Sequence, residues 1–248
     1  MKKILIWIGG IILVILLGLF IAGWIAHQPR PKATPSAAAD ELTEKMLTAL
    51  NKPAWDTTRY VSWTFRSVNE YIWDREANLV EVDNGKTRVV IHTKSLNYEV
   101  LSPAVPEDQQ YKYFENAWAN FCNDSYWLCA PFKVFDPGTS RAIVEDEAGQ
   151  AQLLVTYESG GVTPGDAYLW QLDESYQPVS FQMWVSIIPI GGIKANWTDW
   201  QTLESGALIA GKRSILDRFE VPVTDIRGGS SWSAIGLEED LFAGLENW

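Results

Sequence analysis

Cysteine, histidine and methionine are scarce here: two, two and three in 248 residues. Cys122 and Cys129 make no CxxC pair, no haem-attachment motif and no zinc-ligand spacing. With only His27 and His92, a Ser-His-Asp or Cys-His mechanism has to run through His92, because His27 closes a long apolar run. His92 lies between Ile91 and Thr93 in an alternating stretch, where a satisfied or solvent-facing imidazole is expected. The chain also lacks a phosphate loop and a dinucleotide fingerprint; Gly160-Gly161 and Gly191-Gly192 read as turns. Its 31 acidic residues contain no recognisable catalytic pair, and Asp83, Asp173 and Asp199 read as turn or strand-edge residues. Basic residues are outnumbered, 20 against 31, for a net charge of -11, which argues against nucleic acid and against adsorption to anionic head groups. Neither an enzyme nor a bound cofactor is expected.

What is present begins with a run of 23 uncharged residues, 4–26, behind Lys2 and Lys3. At about 1.5 Å per residue it spans roughly 34 Å, enough for a hydrocarbon core of about 30 Å. Trp7 and Trp24 stand near its ends, where interfacial aromatics belong. The run is longer than the apolar region of a cleavable signal, so it reads as an uncleaved anchor after a cytoplasmic stub, 1–3. Pro29, Pro31 and Pro35 mark 27–39 as a stiff linker. The remainder, 40–248, fits one domain.

That domain opens with an amphipathic helix over 40–50, which Asn51-Lys52-Pro53 ends. Alternating stretches follow: 61–66, a hairpin of 71–74 with 79–82, a turn at Asp83-Asn84-Gly85, and 88–92. Tyr111, Phe114, Trp118 and Phe121 then recur at helical spacing over 107–121, and Asn123 is a plausible stop. Further strands are expected at 142–145, 153–157, 167–172, 179–187, 193–200 and 221–226, with a breaker at 228–231 and a short terminal helix at 237–245. The pattern predicts mainly antiparallel sheet with helices, an α+β domain of about ten strands.

The densest feature is FCNDSYWLCAPFKVFDPG, 121–138. Asn123-Asp124-Ser125 reads either as local capping of backbone groups or as a polar gate beside an apolar cavity. If a turn there brings Cys122 and Cys129 together, they can form a disulfide; in one extended run they cannot. NDSYWLCAPFKVFDPG, with YIWDREANLVEV at 71–82 and GALIAGKRSILDRF containing Arg213, resembles a group of uncharacterised bacterial envelope proteins of the lipoprotein-carrier (LolA/LolB-like) superfamily. The residues that match that group's signature are Asn123 to Leu128, Pro131 to Lys133 and Asp136 to Gly138; the two cysteines are not part of it.

The resemblance implies an open, strongly curved β-barrel covered by helices over an apolar cavity, placed in the periplasm at the inner membrane. It does not by itself imply that lipid or lipoprotein transfer is retained. The chain carries 13 tryptophans, 11 of them beyond the apolar run, and these serve either as core or as cavity lining. Taken as lining, the candidates are Trp63, Phe65, Trp73, Trp127, Trp170, Phe181 and Met183, with Trp184 replacing its neighbours if the other face is concave. Trp63→Ala and Trp170→Ala are then expected to weaken acyl binding more than stability. Three functional classes follow. One is a non-catalytic binder of an acyl chain, lipid or lipoprotein, with a dry pocket. Another is an interaction or envelope-sensing module with a filled core. The third is an enzyme, which requires convergent polar groups in a cleft.

Overall fold

The computed structural model describes residues 7, 11–15, 17–18, 23–159, 163–245 and 248. Of the expected membrane span, 4–26, residues 4–6, 8–10, 16 and 19–22 lie outside these, as do Gly160 and Gly161. Among the described residues no helix is long and apolar enough to cross a membrane.

Two antiparallel sheets carry the fold, and neither closes into a barrel. The first is built from β1 (Tyr60–Phe65), β2 (Asn69–Asp74), β3 (Leu79–Asp83), β4 (Arg88–His92) and β5 (Tyr98–Ser102), paired in chain order. A long helix follows. The second sheet is a meander of β6 (Thr139–Glu145), β7 (Ala151–Tyr157), β8 (Ala167–Leu172), β9 (Pro178–Trp184), β10 (Ile193–Thr202), β11 (Leu208–Ile215) and β12 (Phe219–Glu220). Finally β13 (Val223–Gly229) returns to the first sheet and pairs with β1. The single barrel of about ten strands is therefore corrected to sheets of six and seven strands. The antiparallel α+β class stands.

Alternation explains the layering. Inward residues of both sheets, such as Trp63, Val80 and Ile91 from the first and Val155, Trp170 and Phe181 from the second, form one shared core. Outward residues are also covered. Leu79 and Val90 pack under Phe242, with Ile72 and Trp232 at the margin. Tyr60 meets Trp232 at 4.4 Å between ring centroids. Gly228 and Gly229, expected as a breaker, instead pair with Val61 and Tyr60 at the end of β13. A β-carbon at Gly229 would stand 2.5 Å from that of Ala234, so glycine is what lets the Trp232–Ile235 turn sit on the strand.

Among the described residues, three α-helices follow the amino-terminal segment. The first, α1 (Ala37–Ala49), starts where the Ser36 hydroxyl accepts from the Ala39 amide, and it buries Met46 and Leu47. Asn51, left-handed at φ 55°, separates it from the short α2 (Lys52–Thr57). The third, α3 (Glu107–Cys129), runs eight residues past the expected 121. The terminal helix expected over 237–245 is absent; those residues form turns, with Asp240 accepting from the Phe242 amide. Strand β9 ends at Trp184, not 187, and β5 was not anticipated. The linker is no free spacer either. It lies along the outer face of the second sheet, where the Ser36 amide donates to Arg141 O at 3.3 Å and Arg30 bonds the Thr156 hydroxyl.

Candidate functional site

The continuation of α3 through Asn123-Asp124-Ser125 creates the site. Asp124 does not cap backbone. Its carboxylate accepts from Tyr71 Oη at 2.5 Å, Asn69 Nδ2 at 2.8 Å and Asn123 Nδ2 at 2.7 Å. The side chain thus ties the helix to β2, while the Ser125 hydroxyl donates to Cys122 O within the helix. Burial raises the Asp124 pKa, and the three hydrogen bonds oppose that rise only in part. Tyr71 is likewise raised, by burial first and then by the adjacent carboxylate.

Beyond this tie, α3 crosses between the two sheets. Phe121 packs near Trp73 of the first sheet at 5.3 Å, and Trp127 packs near Phe181 of the second at 5.8 Å. Cys122 and Cys129 are both free. Seven residues apart on one helix, they are separated by about 10.5 Å of helix axis, so the possible disulfide is ruled out by helix geometry. The Cys129 thiol donates to Ser125 O, one turn back.

Beside α3 and the Ala130–Lys133 turn lies a cavity of about 820 Å³, walled mainly by the second sheet and also by Trp73 of β2 and Thr93 after β4. Of the seven expected lining residues, Trp73, Trp127 and Met183 reach it. Trp63, Phe65, Trp170 and Phe181 do not, and are corrected to core, each at most 5 % exposed. Trp63 stacks on Tyr71 at 4.4 Å, and Trp170 meets Phe181 edge-on at 4.9 Å. Trp184 is on the outer face, beside Ala142 and Leu154. Sequence reasoning missed Trp118, Phe121 and Tyr126 on the helix and Val185, Ile187 and Ile188 after β9. The helical stripe through Trp118 and Phe121 continues to Tyr126 once the helix is not stopped at Asn123, so the periodicity already contained that signal.

One end of the cavity is polar. Lys133 Nζ lies 3.5 Å from Asp136 Oδ2. Asp166 accepts from Thr163 Oγ1 at 2.7 Å and from the Ser186 amide at 2.9 Å. Tyr126, Tyr157 and Tyr168 cluster there, with Tyr126 4.6 Å from Tyr168 and 5.7 Å from Tyr157. The hydroxyls of Tyr126 and Tyr157 are buried; neither makes a well-formed hydrogen bond, and their nearest polar neighbours are each other and the Tyr168 hydroxyl. Burial holds all three phenols well above the usual tyrosine range, so at neutral pH they offer O–H donors.

Among the described residues, the hydroxyl that meets a carboxylate in this cavity is that of Thr163, 2.7 Å from Asp166 Oδ2. Burial pushes Cys122 up to about 11, away from the thiolate form. His92 ends β4, where its Nδ1 accepts from the Ser95 amide at 2.9 Å, and it is not among the lining residues. Among the described residues no group of three His, Cys, Asp or Glu side chains is placed to hold a metal. Asp83 and Asp173 accept turn amides, from Gly85 and from Ser175 and Gln177. Arg213, absent from the expected site, is completely buried on β11 beside Trp197, 4.8 Å from the ring. Its Nη2 donates to Leu128 O at 2.9 Å, while Nε and Nη1 have no partner.

Comparison with protein-family models and with curated proteins gives no match for the chain.

Proposed function

We propose that this chain is a non-catalytic, membrane-anchored binding protein of the lipoprotein-carrier kind, facing the periplasm, whose cavity holds an acyl chain of a lipid or lipoprotein. The observation that carries the reading is the cavity itself. The folded chain leaves about 820 Å³ unfilled beside Trp118, Phe121, Trp127 and Met183, within the range of small-molecule sites. Each methylene moved from water to such a wall contributes about 0.8 kcal/mol. The Tyr126 and Tyr157 hydroxyls, which make no well-formed bond of their own, suit an amphiphile with an acceptor group at one end better than a bare hydrocarbon. The residues 4–26 supply the anchor in this reading, and the two sheets serve as an open version of the carrier scaffold.

The test uses the full chain in phosphatidylcholine nanodiscs with a fatty-acyl probe bearing a diazirine near its end. Labelling should map to peptides containing Trp118–Trp127 and Met183–Ile188, and Met183→Trp, which fills the cavity, should remove it. If those peptides stay unlabelled, or if Met183→Trp changes nothing, the acyl reading is lost and the interaction-module reading replaces it.

A further inference from the structure

The cavity wall is continued by a loop that the amino-terminal segment grips. Resting on the anchored acyl-binding reading above, we propose that the β9–β10 loop, 185–192, is a membrane-contacting rim. On this proposal the cavity opens onto the same bilayer that the anchor enters, and its occupant is drawn from that bilayer.

The grip is specific. The Gly191 amide donates to His27 Nδ1 at 3.0 Å, and the Gln28 amide donates back to Gly191 O at 3.0 Å. Trp184 Nε1 donates to Gln28 O at 2.7 Å. Gly23 lies against Ile190, whose Cδ1 would stand 3.5 Å from an added β-carbon. Gly191 cannot carry a side chain here, since its β-carbon would meet Trp184 Cδ1 at 2.3 Å and Gln28 O at 2.9 Å. The loop is therefore fixed at the level of the last turn of the 23-residue apolar run, where a spanning helix leaves hydrocarbon for head groups.

The loop's composition matches that position. From Trp184 to Ile193 no residue is charged, in a chain of net charge -11. Ile187 is 72 % exposed, and on the gripped segment Trp24 and Ile25 are exposed as well. Val185, Ile187 and Ile188 also line the cavity, so one short apolar segment joins the cavity to the anchor's exit point. Exposed apolar groups with no charge among them fit the interfacial zone of a bilayer, and the absence of basic residues marks zwitterionic or uncharged lipid as the contact.

The experiment places a photo-crosslinking phenylalanine analogue at Ile187 in the full chain, reconstituted in phosphatidylcholine vesicles. A second variant carries it at the exposed Ser186, and a control at Asn84. Asn84 lies in the β3–β4 turn, at the opposite end of the first sheet from the cavity-lining Thr93. Phospholipid adducts at 187 and 186 should exceed those at 84 by about tenfold, the factor that burial of one large aliphatic side chain supports. Equal labelling at all three positions, or adducts at 187 only to a second copy of the chain, overturns the proposal. Labelling of the cavity by the diazirine probe, measured in parallel, separates the outcomes. Cavity labelling without rim labelling sinks this inference alone, whereas loss of both sinks the acyl reading.

Discussion

Arg213 is the residue whose chemistry is most at odds with its surroundings. A guanidinium that is completely buried needs a carboxylate, and this one has a single carbonyl and an indole face. Burial pushes its pKa down to about 9, still charged at neutral pH. One charge-assisted hydrogen bond returns about 1.5–3 kcal/mol. The desolvation cost of an ion is several kcal/mol. Two orphan donors leave most of that cost uncompensated, so desolvation wins. Arg213→Met should keep the fold and raise unfolding free energy by on the order of 1 kcal/mol in urea titrations at pH 7. A loss of several kcal/mol would mean that the bond to Leu128 O carries more than this balance allows. The cysteines give a second prediction at this scale. Thiol titration of the unfolded, unreduced chain should find two reactive thiols. In the folded chain at pH 8 Cys122 should react far more slowly than a free thiol, because its pKa is pushed up to about 11. One or no thiol in the unfolded chain would contradict the helix geometry.

At the scale of elements, α3 decides which tryptophans are core and which are lining. Trp63 lies under the helix, stacked on Tyr71 and near Phe121, whereas Trp127 lies on the helix and faces the cavity. Trp63→Ala should cost about 3–5 kcal/mol of stability, the range for a buried aromatic. Trp127→Ala, half-buried against space that is already empty, should cost less and should abolish most acyl-probe labelling. The expectation that Trp63 and Trp170 matter more for binding than for stability is thereby reversed, and paired denaturation and labelling of the two variants checks it. Most of the strands were legible because alternation such as Val61-Trp63-Phe65 and turns such as Asp83-Asn84-Gly85 are local signals. The extent of α3 was not legible. Asn123, Asp124 and Ser125 favour caps when their partners are local backbone groups, and here Asp124's partners include Asn69 and Tyr71, more than fifty residues away. For the same reason the cavity was only partly legible. Strand periodicity tells which residues share a face, but it does not tell how far a helix reaches along that face. The division into two sheets was hidden too, because the pairing of β13 with β1 spans most of the domain.

At the scale of the whole molecule, the tyrosines that face the shared interior set an alkaline limit on stability. Tyr71, Tyr126, Tyr157 and Tyr168 all have pKa values raised by burial. In the unfolded chain each titrates near about 10. Above that pH the unfolded chain releases phenolic protons that the folded chain retains, so folding binds protons and stability falls as pH rises. The contribution is full below about pH 10 and is lost progressively above it, by up to about 1.4 kcal/mol per pH unit for each such group. These tyrosines sit on both sheets and on the helix between them, Tyr71 on β2, Tyr126 on α3, and Tyr157 and Tyr168 on β7 and β8. Their ionisation therefore opposes the packing of all three layers at once, and unfolding should stay cooperative as the limit is approached. Urea denaturation of the full chain between pH 9 and 11 should show a steep decline. The double variant Tyr126→Phe/Tyr157→Phe should decline less steeply, because two of the retained protons are gone, and at pH 7 its stability should change by less than about 1 kcal/mol, since the two hydroxyls lose only their poorly formed contacts with each other and with Tyr168. An unchanged alkaline slope in that variant would place the titrating groups elsewhere. A marked loss of stability at pH 7 would show that the two hydroxyls are already satisfied in the empty protein, which removes the reason to seek a hydrogen-bond acceptor on the cavity's occupant.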